Sequence, residues 1–155
     1  MMLRLVPRLA LCLLLAAPAG ALTLDTMQGR WRGEGDLRLG DEPAQRFRCQ
    51  IRLRPIEPGQ SFFSGRCATA QAAQSFTYML FEGADGALRA ENRAEGDSEL
   101  PAVMQGRAAE GLLRFEGGEG ALFELRRDGG TLRFVLAGTD SRGPARGEAV
   151  LTPQE

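Results

Sequence analysis

Residues 46–54 alternate without a break, with Arg46, Arg48, Gln50, Arg52 and Arg54 on one side and Phe47, Cys49, Ile51 and Leu53 on the other. A two-residue period belongs to a β-strand with one wet and one dry face. The same alternation runs from Arg30 to Leu39, where odd positions are apolar or glycine and even positions are charged. Residues 55–60 are rich in Pro and Gly and read as a turn. A hairpin centred on Pro58 sets Leu53 opposite Phe63, Ile51 opposite Gly65 and Cys49 opposite Cys67. The turn at residues 40–43 then brings the first strand alongside, with Trp31 expected beside Leu53, Gly33 beside Ile51, Gly35 beside Cys49 and Leu37 beside Phe47. On the wet face this register pairs Asp36 with Arg48 and Glu34 with Gln50.

Strand-like runs follow at residues 75–81, 87–92, 102–107, 112–116, 121–127, 131–137 and 145–151, separated by turn signals such as Asp85-Gly86 and Asp128-Gly129-Gly130. For 75–81, either Phe76, Tyr78 and Leu80 or Thr77, Met79 and Phe81 can face inward. The spacing leaves no room for crossover helices, so the strands are antiparallel. The pattern predicts an all-β, up-and-down meander of about ten strands closed into a barrel, with a flattened β-sandwich as the alternative. The longest polar connection, residues 94–101, is acidic and reads as a solvated loop, with a lid over the barrel as the other reading.

The start of the chain changes the picture of where this barrel works. Arg4 and Arg8 precede an apolar run over residues 9–17, and Ala17-Pro18-Ala19 and Ala19-Gly20-Ala21 fit a small-x-small cleavage pattern. Residues 1–21 read as a secretory signal peptide, cleaved after Ala21, and residues 22–155 as a single domain. The apolar run is shorter than the ~20 residues a spanning helix needs. Cys12 follows Leu11 where a lipid-acylation site wants a small residue, and it leaves with the signal. The expected product is periplasmic or secreted and does not span the membrane. That compartment permits disulfides. Directly opposed strand residues lie at ~4.5–5.5 Å, within disulfide reach, so Cys49 and Cys67 are expected to be bonded.

Without the leader, seventeen basic residues face twenty acidic ones, which argues against a nucleic-acid partner. Every basic residue is arginine, and the chain has no histidine. A Ser-His-Asp triad and a His-ligated metal are therefore out. Glu82, Glu91, Glu116 and Glu124 are the carboxylates that carbohydrate or acid–base chemistry would need, but no spacing makes two of them a dyad, and they read as surface. No catalytic, cofactor or metal residue is expected.

Gly29-Arg30-Trp31, at the start of the first strand, resembles the Gly-x-Trp motif of the lipocalins and wider calycins. The resemblance implies a short helical turn before the motif, a tryptophan packed across a closed barrel base, and a late arginine covering it, for which Arg146 is the nearest position. It also implies a non-catalytic binding role, with a small apolar or amphipathic ligand inside the barrel. Leu37, Ile51, Leu53, Phe63, Phe134 and Leu136 are the candidate lining residues. Trp31, Cys49 and Cys67 are also similar to features of small bacterial secreted protease inhibitors, which makes an interaction module or inhibitor of an exported enzyme the alternative. Such a module would act through loops or through the outward arginines Arg46, Arg48, Arg52, Arg54 and Arg66, a face suited to an anionic surface or protein. Its plain reading is a solvated face that discourages edge-to-edge sticking. The inward glycines Gly33, Gly35 and Gly65 are expected to allow tight coiling of the strands, or else to leave a hollow for a ligand.

Overall fold

The computed structural model describes residues 20–155, so most of the expected signal peptide, with Cys12, lies outside the described residues. A 3-10 turn, Leu24–Met27, precedes ten strands. These are β1 (Gly29–Leu39), β2 (Gln45–Glu57), β3 (Gln60–Ala68), β4 (Ala73–Glu82), β5 (Ala87–Asn92), β6 (Val103–Ala109), β7 (Leu112–Glu116), β8 (Leu122–Asp128), β9 (Thr131–Asp140) and β10 (Gly143–Gln154). Each pairs antiparallel with its sequence neighbours, and β10 pairs with β1, so the sheet closes into a barrel with no free edge. The flattened sandwich is set aside by that continuous ring of pairings.

The hairpin of β2 and β3 has the expected register, with Cys49 opposite Cys67, Ile51 opposite Gly65 and Leu53 opposite Phe63. Cys49 and Cys67 form a disulfide, their Cα atoms 4.1 Å apart. The register of β1 on β2 differs from expectation by two residues: Trp31 lies opposite Ile51, Gly33 opposite Cys49, Gly35 opposite Phe47 and Leu37 opposite Gln45. A two-residue slip keeps every side chain on its face, so the core is unchanged. The wet-face pairs do change, with Glu34 opposite Arg48 and Asp36 opposite Arg46. The ambiguous strand β4 turns Phe76, Tyr78 and Leu80 inward.

The interior is filled at mid-height by an aromatic layer. Phe63 packs on Phe76 at 5.0 Å between centroids, Phe76 on Phe123 at 5.4 Å, and Tyr78 edge-on to Phe123 at 5.4 Å. Phe134 lies 6.2 Å from Phe63, nearly perpendicular to it. Such pairs add about 0.5–1.5 kcal/mol each beyond their buried area.

The 3-10 turn plugs one end. Leu24 and Met27 are fully buried. The Glu82 carboxylate accepts hydrogen bonds from the backbone N–H groups of Thr23, at 3.1 Å, and Leu24, at 2.6 Å, supplying the cap that no local side chain provides. The Asp25 carboxylate accepts from the Gly59 N–H of the β2–β3 turn at 3.1 Å. Trp31 crosses this base, its Nε1 donating to the Met27 carbonyl at 3.0 Å.

Glycine settles how the ring closes. A Cβ at Gly33 would lie 1.9 Å from the Val150 carbonyl oxygen, and one at Gly35 would lie 1.8 Å from that of Glu148. A Cβ at Gly106 would lie 1.7 Å from the Arg114 carbonyl oxygen. These are points of close coiling, at β1–β10 and β6–β7, rather than hollows. The space inside Gly65 is taken by the Phe76 ring, 2.3 Å from a Cβ position there.

Two stability tests follow from this arrangement. Gly33→Ala should cost about 3 kcal/mol, as forced overpacking does. Gly138→Ala, where a Cβ meets nothing within 4 Å, should stay within about 0.5 kcal/mol; urea unfolding of the two variants compares them directly. The double variant Cys49→Ala/Cys67→Ala should lose about 3 kcal/mol, the chain-entropy value for a loop of this size, and reduction of the parent protein should reproduce most of that loss.

Candidate functional site

The opposite end of the barrel is not plugged. There the β1–β2, β3–β4, β5–β6, β7–β8 and β9–β10 connections surround a cavity of about 240 Å3. Its floor is the upper side of the aromatic layer, Phe76 and Phe123, and its walls include Leu37, Phe47, Met104 and Leu136. Cys67 lines it as well, so the disulfide braces one wall. Gln45, Gln74 and Thr69 supply polar groups near the rim, and Arg142 is the charged residue among the lining. No carboxylate lines it. Arg142 is held by Asp140 at 3.1 Å and Glu42 at 4.0 Å. The same arginine, by hydrogen bonds from its backbone and its side chain, keeps the Asp140 carboxyl below the ordinary carboxylate value.

The acidic connection after β5 reaches over this mouth. Leu100 and Pro101 line the cavity while residues 93–99 stay exposed. The segment is anchored at both ends. The Tyr78 hydroxyl donates to the Pro101 carbonyl at 2.9 Å, and Asn92 Nδ2 donates to Ser98 Oγ at 3.1 Å and to the Leu100 carbonyl at 3.3 Å. Pro101 also seats against Gly117, where a Cβ would meet the proline ring at 3.0 Å. The solvated part of the loop and the part covering the barrel are thus different residues of one segment.

Of the six expected lining residues, Leu37 and Leu136 face the cavity. Ile51, Leu53, Phe63 and Phe134 are buried in the packed core below it. Alternation tells inside from outside but not height along the barrel axis, and those four lie too deep. Phe47, Phe76, Met104 and Phe123 were not singled out. Their signal is position: each is an inward residue on its strand near the open-end turns.

At the base, the arginine over Trp31 is Arg127, its guanidinium carbon 5.6 Å from the ring centroid. Arg127 also donates to the Thr26 carbonyl and to that of Gly129. This corrects the expectation for Arg146, which is exposed on the outer face opposite Arg38 and Ala137. The β8–β9 turn, not the start of β10, lies beside the 3-10 turn.

The outward arginines do not form one uniform patch. Arg46 and Arg48 both bind Glu34, at 3.1 and 2.8 Å. The hydrogen bond from Arg46 and the charge of Arg48 hold the Glu34 carboxyl below its usual value. Arg54 stacks over the Phe62 ring at 5.3 Å. Arg52 and Arg66 make no ion pair among the described residues.

The four carboxylates weighed for catalysis have structural partners. Glu82 caps the 3-10 turn, Glu91 binds Arg89 and Arg93, and Glu116 and Glu124 share Arg114. Among the described residues no group of three or more Cys, Asp or Glu side chains is placed to hold a metal ion.

The closed ten-stranded antiparallel barrel fits a calycin-like fold. No protein-family model matches the chain, and no curated protein matches it in sequence. Among the described residues no helix is long and apolar enough to cross a membrane.

Tyr78 joins the core to the mouth, and burial pushes its hydroxyl up to about 12. It is the single tyrosine of the chain, so a tyrosinate absorbance titration reads this group alone. Ionisation should be delayed well past the ordinary value of about 10. The folded state holds the proton more tightly than the unfolded one. The contribution to stability is therefore intact below about pH 10 and is lost as pH rises toward 12. Tyr78→Phe should abolish that alkaline loss and free the Leu100-Pro101 segment, seen as faster exchange of the Asn92 amide, which donates to the Ala102 carbonyl.

Proposed function

We propose that this protein is a non-catalytic binding protein that takes a small apolar or amphipathic molecule into the open end of its barrel. The observation that carries the reading is the cavity of about 240 Å3 between the aromatic layer and the Leu100-Pro101 segment. A cavity of ~150 Å3 lined by apolar side chains holds benzene, so this one suits a short acyl chain or a single aromatic ring. The polar groups sit at the rim, where Arg142 and the glutamines Gln45, Gln71 and Gln74 would meet a carboxylate or hydroxyl on an otherwise apolar ligand. This arrangement, few polar groups over an apolar bed, is what orients small ligands in concave sites.

Lipocalin-like character is part of the proposal. It rests on Gly29-Arg30-Trp31, on the tryptophan across the plugged base and on an arginine over its ring. An exported setting, periplasmic or secreted, is supported by the leader-like residues and by the Cys49–Cys67 disulfide, which persists in oxidising compartments. The outer face is studded with Arg and Glu while the interior is apolar, the reverse of a barrel that faces lipid. The second reading, an interaction module or inhibitor for an exported protein, is supported by the early tryptophan and single disulfide that resemble the secreted inhibitors.

Native mass spectrometry of the oxidised protein, purified from the envelope in which it is expressed, separates the two readings. A bound small molecule is expected, whereas a clean unliganded mass with a copurified protein would favour the interaction role. In reconstitution, octanoate should bind the unliganded protein with a saturable isotherm. Leu136→Trp, which fills the cavity from β9, should abolish binding while leaving cooperative unfolding in place. Absence of any saturable binding by octanoate and by toluene would sink the carrier reading.

A further inference from the structure

The outer surface carries a second concavity, a shallow groove of about 520 Å3 across β1, β2, β3 and β4 near the plugged half of the barrel. Four arginines line it: Arg30, Arg32, Arg52 and Arg66, all exposed. Its other outward groups are neutral hydrogen-bonding side chains, Gln50, Ser64, Ser75 and Thr77, with Glu155 and Gln154 at the β10 rim.

The groove gathers four arginines in one concavity. Arg30 lies directly opposite Arg52, and Arg52 opposite Ser64. Arg32 lies opposite Gln50 on one side and Thr152 on the other, and Arg66 lies opposite Gln50 and Ser75. No cross-strand position next to these four arginines holds a carboxylate. Elsewhere on the wet face many arginines are matched with acid, Arg46 and Arg48 with Glu34, Arg89 and Arg93 with Glu91, Arg114 with Glu116 and Glu124, and Arg133 with Glu148, although Arg38 lies opposite Arg146, Arg107 opposite Arg114 and Arg126 opposite Arg133. None of the four groove arginines makes an ion pair among the described residues, although acidic residues outnumber basic ones in the domain as a whole. Like charges directly opposite one another on a sheet are destabilising. Such like-charge pairs occur elsewhere on the barrel, but only here do four arginines without an ion pair line a single concavity among the described residues.

We infer that this groove is an anion-binding site for a soluble molecule bearing two or more phosphate groups. The planar forks of arginine match phosphate oxygens two at a time. Several arginines spread over three strands call for charge at more than one point on the ligand, and the hydroxyl and amide groups between them suit the ester oxygens or hydroxyls of the scaffold. Concavity favours a discrete ligand over a membrane surface, which would have to lie flat against the barrel. The site lies on the outer face, across the strand layer from the open-end cavity, with Phe76 the residue common to the two linings.

Tripolyphosphate is the probe for the test. Titration calorimetry of the oxidised protein at low ionic strength should give saturable binding that weakens steeply with added salt. Arg52→Gln/Arg66→Gln should weaken it by about tenfold or more, the loss expected when charge-assisted hydrogen bonds are removed. Arg38→Gln/Arg146→Gln removes the same net charge from an unpaired arginine pair outside the groove, and should leave affinity within about twofold. All four substitutions are on the wet face, and unchanged urea midpoints would show that the variants fold. No saturable binding, or an equal loss in both double variants, would overturn the assignment. So would binding to phosphatidylglycerol vesicles without binding to tripolyphosphate, which would mark a membrane-docking face instead.

Discussion

Closure of β1 onto β10 is the constraint on which the rest of this molecule depends. At Gly33 and Gly35 the two strands run so close that any side chain would drive into the β10 backbone. Gly106 permits the same approach between β6 and β7. Glycine in a strand costs conformational entropy and gives no packing. Here that cost is offset by removal of both sheet edges, which would otherwise present unpaired N–H and C=O groups to other chains. Once the ring is closed, the odd residues from Trp31 to Leu39, Phe47 to Leu53 and Ser61 to Cys67 are turned toward the interior. The disulfide and the aromatic layer then act on a shape already set.

The two ends are built by different physics. The base is held by directional contacts reaching far along the chain: Glu82 to the start of the 3-10 turn, Asp25 to Gly59, Arg127 to Thr26 and to the face of Trp31. Each satisfies a polar group that would otherwise be buried without a partner or frayed. The open end has fewer ties of that kind. Its one covering segment is fastened by Tyr78 and Asn92, and only Leu100 and Pro101 touch the interior. Space inside the barrel therefore lies at the end where the fewest backbone groups depend on its being filled.

Much of this was legible in the alternation of residues 30–67, and the places where it was not have definite causes. The tight Pro-Gly turn fixes the β2–β3 register, and with it the Cys49–Cys67 bond. The looser turn after Leu39 does not fix β1 on β2, and the true pairing differs by two residues. Because a strand repeats every two residues, that slip leaves Trp31 and Ile51 inside while exchanging the partners of Glu34 and Asp36. In β4 both sets of alternate residues are apolar, so its facing is decided by neighbours: Phe76 fills the space that Gly65 leaves open across the sheet. The arginine over Trp31 comes from the end of β8, almost a hundred residues away in sequence, and position along the last strand carries no trace of it. The cavity residues were half visible, since parity identifies inward side chains but not their depth.

The same short stretches of strand serve both concavities. In β4, Phe76 forms part of the cavity floor while its neighbours Ser75 and Thr77 line the outer groove. In β2, Ile51 belongs to the core while Gln50 and Arg52 line the groove. A pleated sheet one residue thick thus lets a dry surface and a charged one be specified independently, because substitution of an even residue in β2 or an odd one in β4 alters only the wet side. The two sides meet at Gly65 and Phe76: the bare backbone of Gly65 borders the groove and lies against the Phe76 ring, and Phe76 lines both concavities. Two sites separated by a single strand layer, with Phe76 the residue common to both linings, can diverge through the outward side chains that only the groove uses, without disturbing the closed ring that supports both.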